Sequence, residues 1–359
     1  MGNIRNTYRV IGLMSGTSLD GLDLAGCTFC YNGTGWSYSI EEVKTIPYSS
    51  HWLVRLSEKY LLTSNAIEQL DLDYGKYLGQ AVLEFIRETG FDPDLISSHG
   101  HTILHQPENS ITFQAGSGKE IQRISGKTVV ANFRTLDVLL GGQGAPLVPI
   151  GDAYLFSEFD ACLNLGGFAN ISYDNGKERK AFDICPVNIA LNYWAKKLHL
   201  TFDEGGGIAA SGAVNKTLLD SLNKLDYYMV SGPKSLGKEW LNTEFLPIIE
   251  SLSPAPHDVL RTVCEHIGFQ ISNSLESNGI CQHSILLTGG GTHNSFLVDC
   301  IREQSGAQVI IPDQITIDYK EALVFAFLGL LRIRNEINCL SSVTGASKDS
   351  SSGDIFVVE

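Results

Sequence analysis

Apolar runs separated by small polar turns predict a β-hairpin near the start of the chain. One apolar run covers 10–14, a glycine-punctuated polar turn covers 15–21, and a second strand-like run covers 22–29. A third strand is predicted at 40–47. The turn is too polar and too small to be core, so it is expected to face solvent.

Longer segments have apolar residues at spacings of three and four, which predicts amphipathic helices at 65–88 and 256–278. In the first of these, Asn65 is the expected N-cap and Gly90 the expected stop. Helices of this length cover a sheet, so the chain is predicted to be α/β.

The opening pattern recurs in the middle of the chain. Residues 161–173 again form an apolar run, a glycine turn at 166–167 and a second run, and a third strand is predicted at 180–184. Two halves that begin alike predict a duplicated domain with a cleft between the copies. The length of 359 residues suits two domains.

Composition excludes several classes of function. The net charge is −14 and no cluster of Lys and Arg occurs, which argues against a nucleic-acid partner. The longest apolar run, 322–333, is shorter than the roughly 20 residues that a membrane span needs. The eight cysteines are scattered, as expected for thiols in a reducing compartment, and we expect a cytoplasmic protein.

The first turn carries candidate ligand-binding chemistry. Gly16 and Gly21 would let backbone N–H groups approach a phosphate, and Thr17 and Ser18 add hydroxyl donors. Asp20 would repel phosphate unless a divalent cation lies between them. The alternative is an ordinary tight turn built from turn-forming residues.

Three histidines follow a short predicted strand at 94–98. His99 and His101 are two residues apart, as in a metal pair on a strand, but Gly100 argues against regular strand there. We therefore expect His99, His101 and His105 to be loop residues that line a cleft or satisfy backbone groups.

The segment 132–149 reads as a loop or a domain crossover, because it has three glycines in four positions. Arg134 is a candidate to bind a carboxylate or phosphate of a ligand. The alternative is a pair between Arg134 and Asp137 at helical spacing.

Asp183 ends the strand at 180–184. A strand-end aspartate often caps the next helix, but Asn188 is the natural N-cap here, after Pro186. Asp183 is therefore freer to take part in chemistry.

Two later segments have alternative interpretations. A buried strand, three glycines at 289–291 and a helix start are typical of nucleotide-binding α/β folds, although the signal is weak alone. Residues 318–321 before a buried helix look like a capping box, which gives Glu321 a structural role.

Several stretches, taken together and in order, resemble anhydro-N-acetylmuramic acid kinases. They span nearly the whole chain, and each is weak alone whereas the set is specific. They are the segments 14–23 (MSGTSLDGLD), 141–149 (GGQGAPLVP), 164–171 (NLGGFANI), 182–183 (FD), 288–294 (TGGGTHN) and 321–322 (EA).

The resemblance implies a fold and a reaction. The family has the actin-like and sugar kinase fold, with two related ribonuclease H-like domains around a nucleotide cleft. These would be 1–130 and 131–340, with a tail at 341–359 that packs on the first. Such enzymes use ATP, magnesium and water to convert 1,6-anhydro-N-acetylmuramic acid to N-acetylmuramic acid 6-phosphate in cell-wall recycling, and a homodimer is implied.

Residue roles follow from the same resemblance. Asp183 matches the general base, and Asp20 would hold the magnesium ion. The phosphates and adenosine would be bound by Gly16, Thr17, Ser18, Leu19, Asp20, Gly21, Gly166, Gly167, Gly289, Gly290 and Gly291. The sugar would be bound by Arg134, Asp137, Gln143 and Glu321.

One departure stands out. The family follows its aspartate with small residues, whereas Ile184, Cys185 and Val187 stand here, which we expect to reshape the sugar pocket. A kinase of a different sugar is therefore one alternative function. An actin-like nucleotide switch without catalysis is another.

Overall fold

A computed structural model describes residues 6–16, 18–57, 63–230, 234–252, 254–280 and 284–358. The strands are β1 Thr7–Ser15, β2 Leu22–Tyr31, β3 Trp36–Ile46, β4 Leu95–Gln106, β5 Ile111–Ala115, β6 Val129–Ala131, β7 Ala161–Leu165, β8 Phe168–Asp174, β9 Arg179–Pro186, β10 Ser284–Thr288, β11 Gln308–Ile310 and β12 Asp354–Phe356. The α-helices are α1 Ser50–Ser57, α2 Ser64–Thr89, α3 Gly118–Ser125, α4 Thr135–Leu139, α5 Val148–Leu155, α6 Asn188–Lys196, α7 Gly207–Ser211, α8 Lys216–Asn223, α9 Lys238–Trp240, α10 Leu246–Leu252, α11 Pro256–Ser277, α12 Ser295–Ser305, α13 Gln314–Ile333 and α14 Ser341–Thr344.

The chain forms two compact units, divided differently from the prediction. Unit 1 consists of Met1–Leu155 and Asp318–Glu359, and unit 2 of Phe156–Ile317. The predicted boundary at 130 therefore lies too early, because the segment 132–149, expected to be a loop, contributes α4 and the start of α5 to unit 1. Most of α13 also belongs to unit 1.

The sheet of unit 1 has the order β12-β6-β4-β1-β2-β3, and β5 pairs with β4. Strands β1, β2 and β3 form an antiparallel meander, whereas β4 runs parallel to β1 and β6 parallel to β4. Strand β12, in the C-terminal segment, adds antiparallel to β6. The predicted first hairpin is confirmed, with its turn between Ser15 and Leu22.

The sheet of unit 2 has the order β11-β10-β7-β8-β9. Strands β7, β8 and β9 form an antiparallel meander, and β10 and β11 follow in parallel on the side of β7. This is the order and direction of β6-β4-β1-β2-β3 in unit 1. The predicted duplication is confirmed by topology, and the repeated five-strand pattern is the ribonuclease H-like arrangement that was expected.

The two long helices are confirmed at α2 and α11. The predicted apolar stripe of α11 is buried in the core of unit 2, at Val259, Leu260, Val263, Ile267, Ile271 and Leu275. The cap of α2 is Thr63 rather than Asn65, because the helix starts one residue earlier and the Thr63 hydroxyl accepts the Ala66 N–H. Gly90 ends it in a left-handed conformation, as predicted.

The expected capping box at 318–321 is wrong. Helix α13 begins at Gln314, and the carboxylate of Asp313 accepts the backbone N–H of Thr316 at 2.9 Å. Glu321 is therefore in the body of the helix and caps nothing. No helix in the described part of the chain is long and apolar enough to cross a membrane.

Candidate active site

The turn between β1 and β2 contains one glycine that packing requires and one that packing does not require. A Cβ on Gly21 would lie 2.7 Å from the carbonyl oxygen of Ile46, so packing against β3 demands glycine there. A Cβ on Gly16 would meet nothing closer than 3.3 Å, and that atom belongs to the Ser18 side chain. Packing alone therefore does not explain Gly16, and its backbone is open to a ligand.

The same turn exposes Ser18 and Asp20 to solvent. Leu19 adopts a positive φ of 63°, which is costly for a side chain of this size and is typical of constrained functional turns. Its N–H donates to the Gly16 carbonyl at 3.2 Å. Thr17 lies outside the described residues.

Carboxylates gather at this end of unit 1. The carboxylate of Asp23 accepts the Thr45 hydroxyl at 2.6 Å. Burial raises the pKa of Asp23, the Thr45 hydrogen bond opposes this, and the charges of Asp20 and Asp318 raise it further. A bound cation would relieve this repulsion. The described residues contain no group of three or more protein ligands placed to hold a metal, so a cation here would need oxygens from phosphate and water.

The histidines are on a strand, not in a loop, because β4 continues through them to Gln106 despite the positive φ of Gly100. His101 is buried, and its Nδ1 lies 2.8 Å from the Ser15 hydroxyl at the end of β1. Ser15 also contacts the Tyr48 hydroxyl at 2.6 Å. His101 thus contacts a side chain next to the turn. His105 contacts Thr112.

His99 holds Arg134. The guanidinium Nε and Nη2 lie 3.2 and 2.8 Å from His99 Nε2, and Nη1 donates to the Gly144 carbonyl at 2.6 Å. Since an arginine only donates, His99 Nε2 accepts, and the imidazole is neutral with its proton on Nδ1. Burial, and then the charge of Arg134, hold the pKa of His99 well below its usual range. Burial lowers the pKa of Arg134 to about 10, so it stays charged at neutral pH.

Asp137 does not pair with Arg134 and does not face a ligand. It is only 1% exposed, and its carboxylate accepts the Gly144 N–H at 2.7 Å, the Thr344 hydroxyl at 2.7 Å and the Cys339 thiol at 3.1 Å. The predicted direct contact with sugar is therefore wrong for this side chain. Asp137 instead ties the glycine loop to the C-terminal segment and leaves the Gln143 side chain exposed.

The charge of Arg134 acts on the carboxyl group of Glu321. Desolvation by surrounding protein raises the pKa of the Glu321 carboxyl, while the charges of Arg134 and Lys320 lower it. The side chain nevertheless keeps exposed surface. With its capping role excluded, Glu321 is an exposed residue whose carboxylate interacts electrostatically with the Arg134 guanidinium.

In unit 2, glycine turns meet around the end of β7. A Cβ on Gly289 would lie 2.4 Å from Asn164 Oδ1, and one on Gly291 would lie 2.6 Å from Leu165, so the fold requires both glycines. For Gly166, Gly167 and Gly290 the nearest approaches are 3.3, 3.8 and 3.8 Å, and none of the three has a positive φ. These three leave open backbone that a ligand could approach.

Asn188 joins these turns, but it is not the predicted N-cap. It is the first residue of α6, and its side-chain amide donates to the Leu165 carbonyl at 3.1 Å. Strand β9 also runs on through Pro186, so the strand does not stop where the sequence suggested. Asp183 still has no capping role, because the helix starts five positions after it.

Asp183 lies in a row of polar side chains across the sheet of unit 2. Asn164 pairs with Asn170 between β7 and β8, and Asn170 pairs with Asp183 between β8 and β9. Cross-strand partners share a face of the sheet. The two asparagine side chains are half-buried and make no hydrogen bond within the described chain. The sequence interpretation missed this row, because a two-residue turn at 166–167 would have paired Asn164 with Ala169. The observed register instead leaves residues 166–168 between the paired Leu165 and Ala169.

The surroundings of Asp183 leave one oxygen available. Its Oδ2 accepts the Leu236 N–H at 2.8 Å, its own N–H donates to the Lys234 carbonyl at 3.0 Å, and its carbonyl accepts the Tyr227 hydroxyl at 2.6 Å. No donor from the described residues reaches Oδ1. Burial raises the pKa of Asp183, and the Leu236 hydrogen bond opposes that rise. A half-buried carboxylate of raised pKa with one open oxygen suits a general base.

The bulky residues after Asp183 do not reshape this face. Ile184, Cys185 and Val187 are at most 3% exposed and belong to the core of unit 2. A bulge at Ile184, where Asn170 pairs with Asp183 and Ala169 with Cys185, accommodates the extra residue. The expected change of the sugar pocket by these side chains is therefore wrong.

A sequence model of a family described as anhydro-N-acetylmuramic acid kinase matches residues 8–358. The chain belongs to this family. Proteins named anhydro-N-acetylmuramic acid kinase from Nitrosomonas europaea and Sulfurovum sp. are 32% and 34% identical to it, over 96% and 98% of this chain and 99% and 100% of theirs. A third, from Synechococcus elongatus, is 33% identical over 97% of this chain and 99% of its own.

Membership of the anhydro-N-acetylmuramic acid kinase family makes the chain a phosphotransferase, as predicted from the six motifs. The family motifs coincide with the open features described above. They contain the Gly16 turn, the Gly166 and Gly167 turn, and Asp183.

Proposed function

We propose that the chain uses ATP and water to convert 1,6-anhydro-N-acetylmuramic acid into N-acetylmuramic acid 6-phosphate, in the recycling of cell-wall sugars. The observation that carries this proposal is Asp183, a half-buried carboxylate with one open oxygen on the polar face of the sheet. A base is needed both for phosphotransfer to a free hydroxyl and for hydrolytic opening of the anhydro bridge. Family membership favours the hydrolytic opening.

In the proposed reaction, Asp183 takes a proton from water as the water oxygen bonds to the anomeric carbon. The bond from that carbon to O6 breaks, and O6 takes its electron pair. O6 then bonds to the γ-phosphorus of ATP, and ADP leaves. Atoms balance as anhydrosugar, water and ATP giving sugar 6-phosphate, ADP and a proton.

The phosphates are assigned to turns whose backbone is open. Gly16 and Ser18 of the first turn would supply donors, and Gly166 and Gly167 would supply backbone N–H groups. Adenosine is assigned to the turn at 289–291, where Gly290 is the residue not required by packing. Magnesium would be held by Asp20 together with phosphate oxygens and water, and it would neutralise charge on the transferred group.

The sugar is assigned to the Arg134 region. N-acetylmuramic acid carries a lactyl carboxylate, which a guanidinium binds well. Arg134 is already oriented by His99 and Gly144, and Gln143 and Glu321 offer an exposed amide and carboxylate for hydroxyls. We also propose a cytoplasmic homodimer, on the resemblance alone, and sedimentation of the full chain tests the dimer.

The decisive experiment is mass spectrometry of the product made in heavy-oxygen water. Hydrolytic opening predicts one label at the anomeric position, after correction for exchange measured on product incubated without enzyme. Unlabelled product would contradict the hydrolytic step. Release of ADP without any sugar would favour a nucleotide switch, and activity restricted to another sugar would favour a different kinase.

Replacing Asp20 by alanine is expected to weaken magnesium-ATP binding by at least about tenfold, because losing even an outer partner of a metal costs that much. Binding of metal-free ADP should change little. Titration calorimetry with both nucleotides measures this, and Asp92→Ala, a change at another exposed carboxylate, is the control. Equal losses for both nucleotides would mean that Asp20 is structural.

Replacing His99 by alanine is expected to raise KM for the sugar by about 10- to 100-fold, since a hydrogen bond to a charged group contributes about 1.5–3 kcal/mol. KM for ATP should stay unchanged. His99→Gln, which keeps an acceptor, should recover part of the loss, and His105→Ala on the same strand is the control. An unchanged sugar KM in His99→Ala would contradict the role given to Arg134.

The contact between His99 and Arg134 also predicts how the KM for the sugar depends on pH. Protonation of His99 would remove the acceptor, but its lowered pKa moves that event below the range where a free histidine titrates. Sugar KM should therefore show no inflection near about pH 6.5. Steady-state kinetics across that range measures this, and a rise in KM as the pH falls through 6.5 would contradict the neutral, buried imidazole.

A further inference from the structure

Unit 2 contains a cavity of about 430 Å³ on the face of the sheet opposite Asp183. Phe182 and Lys180 of β9 line it together with Tyr173 of β8. Lys180 pairs with Tyr173 across the strands and Phe182 pairs with Ile171, on the face that packs against α11. Side chains alternate between faces along a strand, so Asp183 points the other way from Phe182. The cavity is thus separate from the site proposed above and adjoins it through one strand.

Two lysines and no carboxylate stand among the described residues that line the cavity, in a chain with a net charge of −14. Lys180 makes an ion pair with Glu178 at 2.5 Å. The Lys234 ammonium donates to the carbonyls of Tyr227 and Val230, both at 2.9 Å, and has no carboxylate partner among the described residues. An ammonium has three donors, so one remains for a ligand. Lys234, unlike the paired Lys180, is therefore the cation that favours an anionic ligand here.

The remaining lining suits a sugar. Tyr173, Phe182 and Tyr228 offer aromatic surface for the apolar face of a pyranose ring, and amides and hydroxyls from α11 offer partners for its hydroxyl groups. The Ser274 hydroxyl is buried and has no hydrogen-bond partner in the described chain. A buried polar atom without a partner is costly, and a ligand hydroxyl would satisfy it. The volume fits a monosaccharide derivative.

Lys234, which lines the cavity, also contacts Asp183. Tyr227 donates to the Asp183 carbonyl at 2.6 Å, and the Lys234 carbonyl accepts the Asp183 N–H at 3.0 Å. The Lys234 ammonium, in the cavity, bonds back to the Tyr227 carbonyl. A ligand that draws the ammonium toward itself therefore acts on the two hydrogen bonds that hold the backbone of Asp183.

We propose that this cavity is a second binding site, for an anionic monosaccharide such as a hexose phosphate, and that its occupancy changes the turnover of the Asp183 site through Lys234 and Tyr227. The binding half of the proposal stands on the cavity alone. The effect on turnover rests on the proposed function.

Titration calorimetry of the full chain with glucose 6-phosphate tests the binding half, with glucose and inorganic phosphate as separate arms. We expect saturable binding of the sugar phosphate, weakened at least tenfold in Lys180→Gln and unchanged in Lys177→Gln. Lys177 is an exposed lysine in the turn before β9 and does not line the cavity. Asn273→Trp, which puts a large ring at a lining position of α11, should also abolish it. Equal binding of phosphate alone would overturn the sugar class.

Three results would overturn the site. They are an absence of saturable binding, binding that survives both Lys180→Gln and Asn273→Trp, and binding lost only in Arg134→Gln, which would assign the probe to the proposed sugar site. For the second half, kcat at saturating glucose 6-phosphate should shift in the natural protein and not in Lys180→Gln. An unchanged kcat would overturn the coupling, whereas a chain without kinase activity would refute the proposed function and leave the binding result standing.

Discussion

Asp183→Asn is expected to lower kcat by about 10²–10⁴-fold, the usual cost of losing a general base. The amide keeps an oxygen that can accept the Leu236 N–H, and the two backbone hydrogen bonds of this residue do not involve the side chain. Folding and ATP affinity should therefore survive. Steady-state kinetics, nucleotide titration and thermal unfolding of the same preparation measure the three quantities.

The pH profile of the natural enzyme provides a second check on Asp183. The base must be ionised, and burial raises its pKa, so kcat should fall toward acid with a midpoint above the ordinary aspartate value of about 3.9. Asp174→Asn, a change at the exposed last residue of β8, is the matched control and should keep both rate and profile. A stable and active Asp183→Asn variant would refute the mechanism. A variant that unfolds and binds neither substrate would make the residue structural.

Gly12→Ala is expected to destabilise unit 1 severely. A Cβ at this position would lie 2.0 Å from the carbonyl oxygen of Ala322 and 2.9 Å from its carbonyl carbon, both in the backbone of α13. Backbone cannot rotate out of the way, so β1 and α13 must separate. The expected cost is at or above the upper end of the range of about 1–3 kcal/mol for over-packing.

Denaturant unfolding of Gly12→Ala against Gly35→Ala tests this packing. A Cβ on Gly35 would meet nothing within 4 Å, so that control should change stability by less than about 0.5 kcal/mol. The same substitution within β1 and in the turn between β2 and β3 isolates the contact with α13. Equal stabilities would show that β1 and α13 are not packed this closely. The contact also matters for the site, because it fixes the helix that carries Glu321.

Much of the fold was predictable because its signals are local. Apolar runs and turn chemistry within about ten residues identified both hairpins, and spacings of three and four identified α2 and α11. The repeat of strand, glycine turn and strand predicted the duplication that the two sheets share. Asp183 was singled out at the end of its strand, although the reason given, a cap supplied by Asn188, was wrong.

The contacts between distant residues were not predictable. His99 and Arg134 are 35 positions apart, and Asp137 bonds to residues 202 and 207 positions away. The periodicity of apolar residues does not predict these contacts, because a histidine, arginine or aspartate fits equally well at the surface or in a buried hydrogen-bond network. The unit boundaries failed for the same reason, since α13 rejoins unit 1 through packing against β1 and not through sequence proximity.

The sequence by itself determined the elements, their repeat and the family, because these depend on local conformational preference and on motifs in order. Tertiary structure alone decided which candidate residues are available for chemistry. It buried Asp137, exposed Gln143, fixed the tautomer of His99, and left one oxygen of Asp183 open. Burial and hydrogen-bond partners set whether a polar side chain is already satisfied, and only the folded chain brings those partners together.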